Sequence, residues 1–280
     1  MIAKPGLLVL GGTSDSIELA NKLYMICKDT VLSTATEYGS HISTDRFSGE
    51  VACGKKDAAQ LKEFILEKGI KIVVDATHPY AAGISQNAMD ACRELEIDYA
   101  RYERDSGIHR DSAIQDSHNI IYCSSYEEAA AIADGKSGNI LVTTGSNNID
   151  KLAAGIRDKK RLKIRVLPVS ESVRRLEQAG FNADNIIAMK GPFSEEMNYL
   201  MMVENDIRLM ISKDSGEPGG TDEKLRAARR CGAEVIIIKR PQLEYPNKFA
   251  SIEAVAAFVE QKLAYTKSHK GGTGSMPLLS

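Results

Sequence analysis

The sequence predicts an α/β protein with parallel sheets, its 280 residues divided between two domains. Three observations carry that prediction. Short unbroken apolar runs, beginning with residues 7–10 (LLVL), read as strands buried on both faces of a parallel sheet. Stretches with apolar residues at helical spacing alternate with these runs along the chain. Turns rich in glycine and hydroxyl residues, of which residues 11–16 (GGTSDS) are the first, recur directly after such runs. Strand, glycine turn and helix in that order open a doubly wound, Rossmann-like nucleotide-binding domain.

In that first stretch Gly11 and Gly12 end the strand, and Ser14 or Asp15 supplies an N-cap. Ile17, Ala20, Leu23, Tyr24 and Cys27 then mark one helix face. Backbone N–H groups at a helix start, together with the helix dipole, favour a phosphate there. Gly11, Gly12, Thr13, Ser14 and Asp15 are therefore candidate cofactor contacts. A G-x-G-x-x-G fingerprint opening at Gly11 needs glycines where Thr13 and Ser16 stand. A tight strand–helix turn without a ligand is the alternative reading.

Residues 30–35 form a second strand, and Glu37 follows where such folds often grip ribose hydroxyls. A solvated loop carboxylate would look the same. Residues 47–51 give a short strand. Residues 57–67 give an amphipathic helix with Leu61, Phe64 and Ile65 inward, closed by Gly69, and residues 70–74 the next strand. The order βαβαβ makes a first mononucleotide-binding half. Residues 75–80 (DATHPY) lie past that strand's carboxyl end, the place where open parallel sheets hold ligands. They offer the Thr77 hydroxyl, the His78 imidazole and the Tyr80 phenol, with Pro79 biasing His78 away from helix. Alternatively Thr77 caps the helix over residues 81–95 and Pro79 sits in its first turn. Residues 98–101 are a further short strand. Arg101 and Arg104 beyond it suit carboxylate or phosphate partners, or a surface ion-pair cluster with Glu103 and Asp105.

Polar residues 109–118 mark the exit of a first domain placed at residues 1–105. The second, residues 106–265, alternates strands at 119–123, 139–143, 161–167, 186–189, 207–212 and 235–238 with helices at 126–133, 171–179, 194–204, 222–231 and 252–263. Arg161, Lys163 and Arg165 alternate along one of those strands. Two strands end in polar turns. One carries Thr144 and Gly145. The other is residues 212–224 (SKDSGEPGGTDEK), where Gly216, Gly219 and Gly220 allow close backbone approach, Lys213 and Lys224 carry charge, and Ser212, Ser215 and Thr221 donate hydrogen bonds. That set suits an anion with several carboxylates or phosphates, and it lacks the P-loop pattern. A flexible loop with a helix cap is the alternative. Residues 266–280 are Gly/Ser-rich and expected to be disordered.

Composition narrows the partners. The chain is 43% hydrophobic and 26% charged with formal net charge −2, so no global field draws it to nucleic acid or membrane. Any anion site must be a local basic cluster. Five scattered cysteines without a C-x-x-C read as buried thiols in a reducing cytoplasm, with neither a disulfide framework nor a metal site. No signal peptide is apparent, and no run approaches the roughly 20 apolar residues that span a bilayer. The expectation is a cytoplasmic protein.

GGTSDS, DATHPYAAGISQNA, the R-x-x-R of RYERD, VTTGS, MKGPFSEE and above all SKDSGEPGGTDEKLRAA together resemble the precorrin-6A reductase family, which includes the cobalt-precorrin-6A reductases of the anaerobic cobalamin pathway. The resemblance spans about residues 5–265 with its motifs in order. It implies a two-domain enzyme that reduces one double bond of a tetrapyrrole macrocycle by hydride transfer from a nicotinamide dinucleotide, the two ligands meeting in the cleft between domains. Residue by residue, GGTSDS matches a cofactor segment, and THPY and SKDSG match cleft-lining motifs. With each side chain's own chemistry, Gly11, Gly12, Thr13, Ser14, Asp15, Glu37 and Thr77 are expected at the cofactor, and His78, Tyr80 and Lys213 in catalysis. Arg104, Thr144, Gly145, Lys213, Ser215, Gly216, Gly219, Gly220, Thr221 and Lys224 are expected at the substrate, a polycarboxylate. No arginine directly follows strand two and Glu37 would repel a 2′-phosphate, so NADH is expected over NADPH, in a monomer or small homo-oligomer. Two other classes fit the residues: a non-catalytic nucleotide- or anion-binding protein, and a glycosyl- or methyl-transferase on a double-Rossmann scaffold.

Overall fold

The computed structural model describes residues 6–104, 120–214 and 219–270, with side chains to residue 265. These residues fall into two units. One comprises the chain up to residue 104 together with the chain from 242 onward, and the other is the stretch between.

The first unit begins with β1 (Gly6–Leu10), α1 (Ser14–Ile26), β2 (Thr30–Thr34), α2 (Glu37–Arg46), β3 (Glu50–Cys53), α3 (Ala58–Glu67), β4 (Ile70–Asp75), α4 (Ala82–Glu94) and β5 (Asp98–Tyr102). The second unit contains β6 (Ile120–Cys123), α5 (Tyr126–Asp134), β7 (Asn139–Val142), α6 (Ile149–Gly155), β8 (Leu162–Val166), α7 (Ser170–Gln178), β9 (Ile186–Ala188), α8 (Glu195–Glu204), β10 (Ile207–Lys213), α9 (Thr221–Arg230) and β11 (Glu234–Ile238). The chain then returns to the first unit with β12 (Lys248–Phe249) and α10 (Ile252–Lys270).

Both sheets are six-stranded and parallel throughout, in the orders β12-β5-β4-β1-β2-β3 and β6-β11-β10-β7-β8-β9. Strand order reverses between β1 and β4 in one sheet and between β7 and β10 in the other, and such switch points open crevices at the strands' carboxyl ends. The unbroken apolar run of β1 has a direct cause. Successive side chains point to opposite faces, so Leu7 and Val9 enter a core with Leu32, Val74, Val255 and Val259, while Leu8 and Leu10 enter another with Leu61, Ile65, Ala88 and Cys92.

The structure departs from the sequence reading in the first unit as follows. Helix α2 was not expected, because its EYGSHISTDR sequence has no apolar stripe and buries Ser43 alone. The third strand begins at Glu50, and Phe47 packs edge-on against Tyr24 instead. Residues 242–263, assigned from sequence to the second domain, belong to the first: β12 pairs with β5, and Val255, Ala256 and Val259 of α10 complete the core around β1. Helix α10 also continues to Lys270 through residues expected to be disordered, while residues 271–280 and the expected exit segment 109–118 lie outside the described residues. Among the cysteines, Cys27, Cys92 and Cys123 are buried and Cys53 is exposed, with no disulfide.

One polar feature crosses the first core. Asp75 ends β4 opposite Arg101 of β5, and both side chains are fully buried in an ion pair of 2.8 Å. Arg101 also grips Glu103 through Nε and Nη2 (3.3 and 3.0 Å), and Lys248 of β12 closes on Glu103 at 2.7 Å. Tyr99 donates its phenol to Asp75 Oδ2 at 2.8 Å, and burial first, then Asp75, pushes that phenol's pKa up, so it stays a donor. Two acids and two bases leave the chain of charges neutral, and each buried charge has a partner, as burial of ions requires. Arg101 is thus an internal strut, not an anion ligand at the sheet edge. Replacing it with methionine leaves Asp75 charged and unpaired. Arg101→Met is expected to cost about 3–5 kcal/mol of unfolding free energy. Urea denaturation reads this directly, and a loss below about 1 kcal/mol would remove the pair from the stabilising interactions.

Candidate functional site

The β1–α1 turn sits at the switch point of the first sheet. A Cβ on Gly11 would lie 2.7 Å from Leu32 Cδ1 and 2.9 Å from Ser16 Oγ, so glycine permits close helix–sheet packing there. Gly12 has φ +131, and nothing lies within 4 Å of where its Cβ would be. The N-cap is Thr13, which accepts from Ser16 N at 3.2 Å; neither Ser14 nor Asp15, the expected caps, holds that place. Ser16 is fully buried and accepts from the N–H groups of both Gly12 and Thr13 at 3.2 Å. A serine in the third fingerprint position therefore takes two donors that a glycine there would leave to a phosphate. The N–H groups of Ser14 and Asp15, at the first helical positions, remain to meet an anion in the space before Gly12. Arg104, expected at the substrate, lies at this same turn: Nη2 is 3.3 Å from Asp15 Oδ1, and Nε donates to the Tyr102 phenol at 2.9 Å.

Beside this turn, the DATHPY segment leaves β4. The Thr77 N–H and hydroxyl both donate to Asp75 Oδ1 (3.0 and 2.6 Å), and Arg101 Nη1 donates to that hydroxyl at 3.1 Å. Thr77 is buried and caps no helix, since α4 starts after Ala81 without a side-chain cap. Its role is to hold the turn on the ion pair beneath. His78 and Tyr80 are half-buried, their ring centroids 5.5 Å apart, and Tyr80 N donates to His78 Nδ1 at 3.3 Å. With Nδ1 accepting, this geometry assigns the neutral ring's proton to Nε2.

Glu37 is the exposed first residue of α2, just after the N-cap Thr36. The end of β2 has a second neighbour that the sequence reading did not weigh. Gly54 N donates to Thr34 O at 2.9 Å, which brings the Lys55–Lys56 pair after β3 alongside. Thr34 Oγ1 is buried there without a hydrogen-bond partner.

In the second unit the switch point carries cations. Thr144 is 6% exposed with its hydroxyl unpartnered, and Gly145 has φ +79 with open space around it. Lys213 ends β10, where burial lowers its pKa to about 8. Gly220, φ +61, sets the left-handed start of α9, ahead of buried Thr221 and Lys224. Burial lowers the Lys224 pKa to about 7, helped by the nearby charges of Arg165 and Lys213 and opposed by Glu223. Gly219 is exposed before them, while Ser215 and Gly216 lie outside the described residues.

Arg165 was missed as a site residue. In sequence it reads as one of three basic residues alternating along a strand, and Lys163 reaches out to Asp184 O. Arg165, however, is buried, because β8 lies between β7 and β9 and α8 covers this position. The second unit thus presents a concentration of positive charge at its strands' carboxyl ends, suited to a multiply charged anion. Among the described residues no cluster of His, Cys, Asp and Glu could hold a metal ion, and no helix is long and apolar enough to cross a membrane.

Comparison with known proteins fits this geometry. The family model described as precorrin-6x reductase CbiJ/CobK matches residues 6–260. The chain is 37% identical over 256 residues to the protein named cobalt-precorrin-6A reductase of Methanocaldococcus jannaschii, covering 90% of this chain and 97% of the relative. It is 34% identical to the protein of the same name in Priestia megaterium, covering 91% and 98%. Among solved structures, the CobK precorrin-6A reductase shares the fold with a TM-score of 0.73 at 22% identity, over 92% of this chain and 97% of that one.

Proposed function

Because this chain belongs to the precorrin-6x reductase family, we propose that the β1 turn of its first unit holds a nicotinamide dinucleotide and the cationic sheet end of its second unit holds the tetrapyrrole. The protein is an oxidoreductase of cobalamin biosynthesis that reduces a C–C double bond of a precorrin-6A-type macrocycle with a reduced nicotinamide as donor. A non-catalytic anion-binding protein and a transferase on the same scaffold are not favoured. Both relatives compared above are named for the cobalt-bearing substrate, which supports that form here.

The observation that carries the assignment of ligands is the buried positive charge of Lys224, with Lys213 and Arg165, in a chain of net charge −2. A macrocycle edged with acetate and propionate arms needs local cations of this kind. The first unit's turn fits a dinucleotide by its helix N-terminus and by the open space at Gly12. When bound, the reduced nicotinamide supplies a hydride. This chain's residues hold the macrocycle by its carboxylates through Lys213 and Lys224, and Thr144, Gly145, Gly219, Gly220 and Thr221 line the same strand ends. Tyr80 N holds the His78 ring through Nδ1, and His78 serves the substrate by orienting it or by relaying the proton that accompanies the hydride.

Gly12→Val places a branched side chain in the open space and onto a left-handed backbone. It is expected to abolish dinucleotide binding in a folded protein, read by nicotinamide fluorescence; unchanged affinity refutes the site. His78→Ala is expected to lower kcat about 100-fold with KM changed less than about threefold, in an anaerobic assay of cobalt-precorrin-6A reduction. A raised KM with kcat kept would assign His78 to orientation alone.

The donor is NADH in this reading, with Glu37 at the ribose end of the turn. A ratio of kcat/KM favouring NADH over NADPH checks it. If NADPH serves at least as well, the recognition passes from Glu37 to Lys55 and Lys56, whose place beside β2 suits a 2′-phosphate.

A further inference from the structure

Arg165 is a guanidinium buried in neutral company. It is 8% exposed, Nη1 donates to Asn198 Oδ1 at 2.7 Å and lies 3.5 Å from Met201 Sδ, and the guanidinium stands 4.3 Å from the centroid of the Phe193 ring. Lys224 is 5% exposed, and among the described residues its ammonium has no hydrogen bond or ion pair. The two share one side of the sheet. Val142 stands opposite both Ile164 and Ile211, so the next residues, Arg165, Thr143 and Ser212, point to one face. That is the face of Leu141 and Met210, against which Met202 of α8 and Leu225 of α9 pack.

Two buried cations on one face, neither with a carboxylate partner, oppose folding: each loses its hydration, and each repels the other. Methionine or leucine would fill both positions without that cost. Asn198 and Phe193 nonetheless fix the guanidinium in place, leaving Nε and Nη2 without partners among the described residues. Such an arrangement is complete only when an anion arrives.

We infer that Arg165 and Lys224 form a desolvated seat for one peripheral carboxylate of the macrocycle. This rests on the reading of the chain as a tetrapyrrole reductase. The remaining edge of the Arg165 fork takes the carboxylate oxygens, and the Lys224 ammonium supplies the second charge. Seating the anion also changes a protonation. Arg165 of β8, Lys213 of β10 and Glu223 of α9 itself are the charged groups that act on Lys224, while Asn198 and Met201 of α8 do not titrate. Without ligand, burial and the two neighbouring cations hold its pKa near 7. A carboxylate beside it raises that value, so binding draws in a proton above about pH 7, and affinity falls as pH rises.

The test uses the dinucleotide-loaded protein and uroporphyrin, a stable porphyrin octacarboxylate, as the probe. Arg165→Gln and Lys224→Met are each expected to weaken porphyrin binding about 10–100-fold. Arg165→Lys restores part of it, since charge returns without the fork. Dinucleotide affinity stays within about twofold. Calorimetry of the wild type near pH 8, in two buffers of different ionisation enthalpy, is expected to show proton uptake that Lys224→Met loses. Should Arg165→Gln fail to fold, Lys224→Met and the wild-type proton uptake decide. Porphyrin affinity unchanged in the folded variants, without Lys224-dependent uptake, overturns the seat alone. Loss of dinucleotide affinity with porphyrin spared makes the anion a phosphate and overturns it too. A wild type that binds no tetrapyrrole polycarboxylate overturns the reductase reading beneath it, and this is seen before any variant is made.

Discussion

The first unit depends on the buried pair of Asp75 and Arg101. It joins the end of β4 to β5 inside the core, and everything polar nearby is organised by it. Thr77 hangs from Asp75, which sets the course of the chain through His78 and Tyr80. Arg101 passes charge to Glu103, and Glu103 to Lys248, so the returning strand β12 is held by the same neutral series. Backbone bonds run alongside: Arg101 N donates to Asn247 O at 2.7 Å, and Asn247 Nδ2 donates to Tyr99 O at 2.9 Å. The floor of the candidate site and the closure of the unit are one piece of electrostatics.

The second unit handles buried charge in the opposite way. Its buried Arg165 meets an amide oxygen, a thioether and an aromatic face, and no carboxylate. A paired internal charge organises a fold, whereas an internal charge in neutral company opposes it and waits for an outside partner. That contrast distinguishes Arg101 from Arg165 although both are arginines buried within parallel strands. Exposure alone would have grouped them together.

The parallel sheets were legible because β1 and its neighbours feed two cores at once, which forces continuous apolar runs that survive in the sequence. Most strand positions followed from that signal within a residue or two. Helix α2 did not, since it has no apolar stripe and sends only the partly buried Ile42 against the core, and neither did the seven-residue α6. The turn at Gly11 and Gly12 was recognisable, but the detail that changes its chemistry was not. Ser16 sits one helical turn on and takes two N–H groups, a tertiary arrangement that a glycine count cannot reveal. Arg104 and Asp15 were assigned to different ligands because residues far apart in sequence carry no mark of touching. Lys224 was nameable from its glycine-rich setting. Its partner Arg165 required knowledge of which strands lie on either side of β8.

The return of the chain to its first unit sets an order on synthesis. Residues of the second unit are contiguous and leave the ribosome together, so all their sheet partners are present once residue 241 has emerged. The first unit has no such completeness. On the face of its sheet that carries Leu7, Val9 and Val74, α1 supplies Ile17, Ala20 and Leu23 early, but the cover stays incomplete until Val255, Ala256 and Val259 appear. The part made first is therefore the part finished last, and until α10 emerges the first unit of the nascent chain carries an incompletely covered apolar face. That surface is the share of this protein most in need of a chaperone.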